Sequence, residues 1–126
     1  MGKARVLYIE DNPDNMILVK RVLEIEGYEV LSAATGREGL VKALRDRPDI
    51  IITDINLPDI DGYEITNNLK KDKATAHIPV VAMTANVMQK DRENVFGAGC
   101  DGYITKPIDV DELPEQIENF LKGASK

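Results

Sequence analysis

The sequence predicts a doubly wound α/β sandwich: one five-stranded parallel sheet with helices on both faces. Two observations carry that expectation. Short apolar runs alternate five times with helix-length segments, which is the signature of a parallel sheet built from β-α units. The clearest of those runs are apolar throughout rather than at every second residue, as suits strands covered on both sides.

Val6-Leu7-Tyr8-Ile9 opens the series, and Ile50-Ile51-Ile52-Thr53 and Val80-Val81-Ala82-Met83-Thr84 read the same way. Tyr28–Ala33 and Gly102–Thr105 are weaker strand candidates. Between them, Asp14 to Glu26 carries Leu18, Val19, Val22 and Leu23 at helical spacing. Thr35-Gly36-Arg37-Glu38 has the form of a capping box, followed by Leu40, Val41 and Leu44. Asp61 to Lys71 places Ile65 and Leu69 on one face, and Asp109 to Leu121 carries Leu113, Ile117, Phe120 and Leu121. The segment from Asn86 to Phe96 is the least amphipathic, since six polar or charged residues separate Met88 from Val95. Pro114 would break a helix capped at Asp109 about one turn in, so the last helix is expected to start nearer Glu112 or Leu113. The tail from Gly123 to Lys126 is expected to fray.

The 126 residues fit one ordinary domain, and no linker or low-complexity tract leaves room for a second. An apolar fraction of 43% with 30% charged residues argues for a globular chain rather than a disordered one. With 22 acidic against 16 basic residues the net charge is −6, which argues against a nucleic-acid partner. No apolar run approaches the ~20 residues of a membrane span, and Glu10 and Asp11 cut short the run that follows the basic N-terminus, so a signal peptide is not expected. A cytoplasmic protein is the expectation. The single cysteine, Cys100, excludes an internal disulfide or a multi-cysteine metal site.

In open parallel sheets ligands sit outside the carboxyl ends of the strands. The first strand ends in Glu10-Asp11, the third in Asp54 and the fourth in Thr84, and the fifth is followed by Lys106-Pro107. Three carboxylates, a hydroxyl and an ammonium therefore meet at one edge. Taken singly, Asp11 could be a helix cap and Asp54 a turn former; together they point to a site. Carboxylates left alone at such distances would raise one another's pKa. A hard divalent cation such as Mg²⁺ and the lysine charge would relieve that, and the result suits a phosphoryl group.

At these residues the sequence resembles the receiver domain of bacterial two-component response regulators, the CheY-like family, and within it the stand-alone receivers of the DivK type. The motifs are Ile9-Glu10-Asp11-Asn12, then Asp54-Ile55-Asn56-Leu57-Pro58-Asp59-Ile60-Asp61-Gly62, then Met83-Thr84-Ala85, then Tyr103-Ile104-Thr105-Lys106-Pro107. The resemblance runs from about Arg5 to Leu121 and implies a single flavodoxin-like receiver, strand order 2-1-3-4-5, with no output domain. It implies Asp54 as phosphoacceptor, and Mg²⁺ held by Asp11, Asp54 and the Asn56 carbonyl with Glu10 acting through water. Thr84 would be the switch hydroxyl, Tyr103 the switch aromatic and Lys106 the ion-pair partner of the phosphoryl group. Asn56 and Asn86 would flank the approach beside Ala85. The Lys106-Pro107 bond is expected to be cis, and an X-Pro bond is the cheap place for that.

The implied function is a single-domain response regulator. A histidine kinase or histidine phosphotransfer protein would phosphorylate Asp54, and a downstream protein would be met by the Asn86–Phe96 segment, the Tyr103 strand and the last helix. His77, the only histidine, reads as a loop residue, so the donor histidine belongs to another protein. Beyond Mg²⁺-dependent self-phosphotransfer and self-dephosphorylation, no enzyme activity is expected. Three alternatives fit less well. An aspartyl-phosphate phosphatase of the haloacid-dehalogenase type needs a second Asp where Asn56 stands. In a flavin carrier, the acidic Asp11-Asn12-Pro13-Asp14 loop would repel the flavin phosphate. A degenerate receiver would not be expected to keep Glu10, Asp11, Asp54, Thr84 and Lys106 together.

Overall fold

A computed structural model describes residues 4–85 and 99–124. Its elements are β1 (Arg5–Ile9), α1 (Pro13–Ile25), β2 (Glu29–Ala33), α2 (Gly36–Asp46), β3 (Ile50–Asp54), α3 (Gly62–Lys71), β4 (Val80–Thr84), β5 (Gly102–Thr105) and α4 (Leu113–Ala124). The helix expected over 86–96 lies outside the described residues.

All strand pairings are parallel, and the five strands lie in the order β2-β1-β3-β4-β5. Side chains alternate across each strand and build two cores. Val6, Tyr8, Ile50, Ile52, Val81, Met83 and Ile104 pack with Val19 and Leu23 of α1 and Leu113 and Ile117 of α4. Leu7, Ile9, Ile51 and Val80 pack with Ala43 of α2 and Ile65 and Leu69 of α3. The sheet is thus covered on both faces, which is why its central strands read as continuous apolar runs. Ile50, Ile51 and Ile52 are fully buried, and each such burial contributes roughly 1.5–3 kcal/mol.

The helices begin where the sequence provides caps. The Asn12 side chain accepts from the Asp14 and Asn15 amides, with Pro13 opening α1. Thr35 Oγ1 accepts from Glu38 N at 3.1 Å, and Glu38 Oε1 reaches back to Ala34 N at 2.7 Å. Asp61 caps α3 through Glu64 N. Asp109 instead closes a separate turn, accepting from the amides of Asp111 and Glu112. The helix proper then starts at Leu113, so Pro114 falls in its first turn, where no amide is needed.

Three expectations need correction. Leu18 is 40% exposed, Val41 59% and Leu44 44%. The buried face of α2 is made of Gly36, Gly39 and Ala43, because the helix lies too close to the sheet for larger side chains: a Cβ on Gly39 would sit 2.3 Å from Ile9 Cδ1. At the C-terminal end, α4 runs through Ala124, two residues into the tail expected to fray, because Phe120 and Leu121 still pack against the core.

Candidate functional site

The site forms where β1 and β3 end side by side, with the ends of β4 and β5 next in order. Pairing with β2 continues one residue past β1, since Glu10 N donates to Ala33 O at 2.9 Å. This holds Glu10 in the sheet, only 2% exposed, while Asp11 turns out into solvent. Asp11 is not a helix cap; Asn12 takes that role, leaving the Asp11 carboxylate to the site.

Asp54 closes β3 and is 5% exposed. Its Oδ1 accepts from Asn56 N at 3.1 Å, which folds the loop after β3 back over the carboxylate. Lys106 follows directly after β5. Its amide donates to Thr84 O at 2.8 Å, and the Lys106-Pro107 bond is cis, as expected. Lys106 Nζ stands 2.8 Å from Asp54 Oδ2 and 3.2 Å from Glu10 Oε1. Glu10, Asp11 and Asp54 each offer a carboxylate oxygen, and these three atoms lie within 4.8 Å of one another. Thr84, 7% exposed, ends β4 beside Thr105 of β5. Tyr103 is half-buried against Ile55, Ala82 and Cys100. Asn86 lies outside the described residues.

The electrostatics follow from one ammonium serving two buried carboxylates. Burial raises the Asp54 carboxyl above its ordinary value, and Glu10 adds to that; Lys106 and the Asn56 amide pull the other way without prevailing. Burial alone would lower the Lys106 ammonium, but Asp54 and Glu10 outweigh it and the net shift is upward. Lysine therefore stays charged while Asp54 remains short of neutralisation. That deficit, in a set of oxygen donors without sulfur or imidazole, fits a hard divalent cation. The residues that could hold it are Glu10, Asp11 and Asp54.

Two residues at the site escaped the sequence reading. Tyr8 OH donates to Glu10 Oε1 at 2.9 Å and lies 3.4 Å from Met83 Sδ. Burial first, then Glu10, holds this phenol far above its ordinary range, so it remains a donor. Asn15 Nδ2 reaches the same Glu10 oxygen at 3.2 Å. The signal for Tyr8 was its place two residues before Glu10 on one strand, hence on the same face. Asn15 had no comparable signal, since its approach depends on how the Asn12 cap sets the entry of α1.

Residues 6–118 match the response regulator receiver domain family, and the chain belongs to it. Among curated relatives, the polar-differentiation response regulator DivK of Brucella anthropi is 43% identical over 119 residues, covering 94% of this chain and 97% of that protein. DivK of Brucella ovis is 42% identical over the same length and coverage. Among solved structures, the chemotaxis protein CheY4 of Vibrio cholerae superposes with a TM-score of 0.89 at 29% identity, over 93% of this chain and 98% of that one. The receiver domain of a sensor histidine kinase from Pseudomonas aeruginosa gives 0.87 at 34% identity, over 94% and 98%, and has a magnesium ion coordinated in its active site cleft. The protein is thus a CheY-like receiver, a class of signalling phosphoacceptors rather than of enzymes in the ordinary sense. No helix among the described residues is long and apolar enough to cross a membrane.

Proposed function

We propose that this protein is a response regulator of the DivK type that accepts a phosphoryl group on Asp54 from a phosphohistidine donor and signals, or relays the group, through phosphorylation-dependent protein contacts. The observation that carries this reading is the Asp54 carboxylate, held at the strand ends 2.8 Å from Lys106 Nζ and inside the three-carboxylate cluster.

In the transfer, an Asp54 carboxylate oxygen attacks phosphorus in line. A P–O bond forms, the P–N bond to the donor imidazole breaks, and the imidazole leaves with a proton. The protein contributes positioning and charge. Asn56 N fixes Oδ1, and Lys106 Nζ, already at Oδ2, pairs with the incoming phosphoryl oxygens. Mg²⁺, held by Asp11, Asp54 and the Asn56 carbonyl with Glu10 through water, would supply further charge neutralisation. The same residues support slow hydrolysis of the acyl phosphate, with Asn56 beside the approaching water.

Phosphorylation adds negative charge, roughly −1.5 to −2 for an ordinary phosphate ester, beside Thr84. The Thr84 hydroxyl moves to the new oxygens and Tyr103 follows into the space it leaves. This biases a two-state equilibrium, read by a partner protein on a surface that includes β5 and α4. The setting is cytoplasmic, with neither nucleic acid nor membrane as partner.

The test is transfer of labelled phosphate from a histidine-phosphorylated protein. Label should pass to the parent chain with magnesium and not to Asp54→Ala. Label retained by Asp54→Ala would refute the assignment.

A further inference from the structure

Tyr8 is fully buried in β1, yet its hydroxyl ends at the acid cluster rather than in the core. It stands between two acceptors, Glu10 Oε1 at 2.9 Å and Met83 Sδ at 3.4 Å. A phenol has one proton to donate, and a thioether is a weak acceptor. The carboxylate takes the bond, because a charged acceptor roughly doubles its strength.

The consequence lies in Glu10. Oε1 accepts from Tyr8 OH at 2.9 Å, Asn15 Nδ2 at 3.2 Å and Lys106 Nζ at 3.2 Å. These donors come from β1, α1 and the segment after β5, so they close on the oxygen from three elements. Oε2 accepts from the Asn12 amide, at 3.3 Å, and the Glu10 carboxyl also lies within hydrogen-bonding reach of the Asp54 carboxyl. One oxygen of the carboxylate is filled by the protein and the other keeps lone-pair capacity. A lone salt bridge to Lys106 would leave the carboxylate able to rotate, whereas the two neutral donors fix it.

We propose that Tyr8 and Asn15 are positioning residues for the divalent-cation site: by occupying Glu10 Oε1 they lock the carboxylate and reserve Oε2 for the cation or its water. This rests on the magnesium reading of the cluster. The plainer reading is a core tyrosine whose hydroxyl has found the nearest acceptor, as buried phenols must. On that reading Tyr8 affects stability and leaves the cation affinity of the folded protein alone.

The experiment is calorimetric titration of Mg²⁺ into the unphosphorylated full chain, for the parent, Tyr8→Phe, Asn15→Ala and Met83→Leu. Groups that orient a metal ligand typically cost ten- to a hundredfold in affinity when removed, so Tyr8→Phe and Asn15→Ala should each bind about tenfold more weakly. Met83→Leu, a volume-conserving change on the other side of the hydroxyl, should stay within about twofold of the parent. The chain has four tyrosines and no tryptophan, so a near-ultraviolet difference spectrum isolates the phenols. The cation should perturb it in the parent and Met83→Leu with the calorimetric midpoint, and that component should vanish in Tyr8→Phe. Equal or tighter binding by Tyr8→Phe overturns the proposal. If Tyr8→Phe does not fold, equal binding by Asn15→Ala does so. A parent that binds no magnesium overturns the magnesium reading itself, and this inference with it.

Discussion

Lys106 Nζ and Asp54 Oδ2 stand 2.8 Å apart, across the end of β4, which lies between their two strands. The same ammonium reaches Glu10 at 3.2 Å. A single cation therefore ties β5 to β3 and β1 where, among the described residues, two acids are buried together.

Removing that cation should be costly. Lys106→Met leaves two carboxylates, with side chains 0% and 7% exposed, without a counter-charge. Breaking a buried pair from one side costs roughly 3–5 kcal/mol. Because Lys106 is itself 22% exposed, a loss of about 3 kcal/mol is expected, at the lower end of that range. Urea unfolding at neutral pH in a chelator measures it, and magnesium should recover part of the loss. An unchanged midpoint would mean that solvent already screens the pair.

Neutralising the phosphoacceptor should act in the opposite direction. The Asp54 carboxyl is held above its ordinary 3.8 by burial and then by Glu10. A carboxyl whose folded pKa is raised binds its proton more tightly in the folded state. Stability then falls as pH rises from 3.8 through the raised value, and remains lower above it. Asp54→Asn removes this penalty and should raise the stability of the chelator-treated protein at neutral pH. Magnesium should raise the Tm of the parent and leave that of the variant unmoved.

Gly62 tests the close approach behind Asp54. A Cβ there would lie 2.7 Å from Asp54 O and 2.9 Å from Ile55 Cα, and backbone cannot swing aside as a side chain can. Overpacking costs roughly 1–3 kcal/mol, so Gly62→Ala should lose about 3 kcal/mol and weaken phosphorylation by displacing the strand end. Gly123→Ala, with nothing within 4 Å, is the control and should leave stability unchanged or slightly raised. Equal behaviour of the two variants would refute the steric argument.

Asp59 ties the loop after β3 to the start of α2, its carboxylate accepting from Gly36 N at 2.8 Å and Arg37 N at 3.0 Å. The Arg37 amide, then that of Gly36, holds the Asp59 carboxyl below 3.8. The sign is the reverse of that for Asp54: the stabilisation is present above 3.8 and is lost as pH falls through the lowered folded value. Asp59→Ala should thus be less stable than the parent at neutral pH, and the difference should close in acid. Thermal melts across that range check it.

The strand ends were legible because doubly covered strands must be apolar throughout, so each acid terminating a run marked the edge of the sheet. Pro114 was legible too, since it forbids a helix start at Asp109 and permits one at Leu113. The buried face of α2 was not. Val41 and Leu44 show helical spacing, but the sheet lies so close that glycine and alanine face it, and periodicity does not report interlayer distance. Tyr8 was read as a strand residue because its apolar ring dominates its pattern, and only the fold shows where its hydroxyl ends.

The most direct test of the phosphoacceptor assignment is intact mass after incubation with a small phosphodonor and Mg²⁺, beside Asp54→Ala. One labile phosphoryl group on the parent and none on the variant is the expected result. A variant that gains the group as readily as the parent, or a parent that takes none from either a small donor or a phosphohistidine protein, would contradict it.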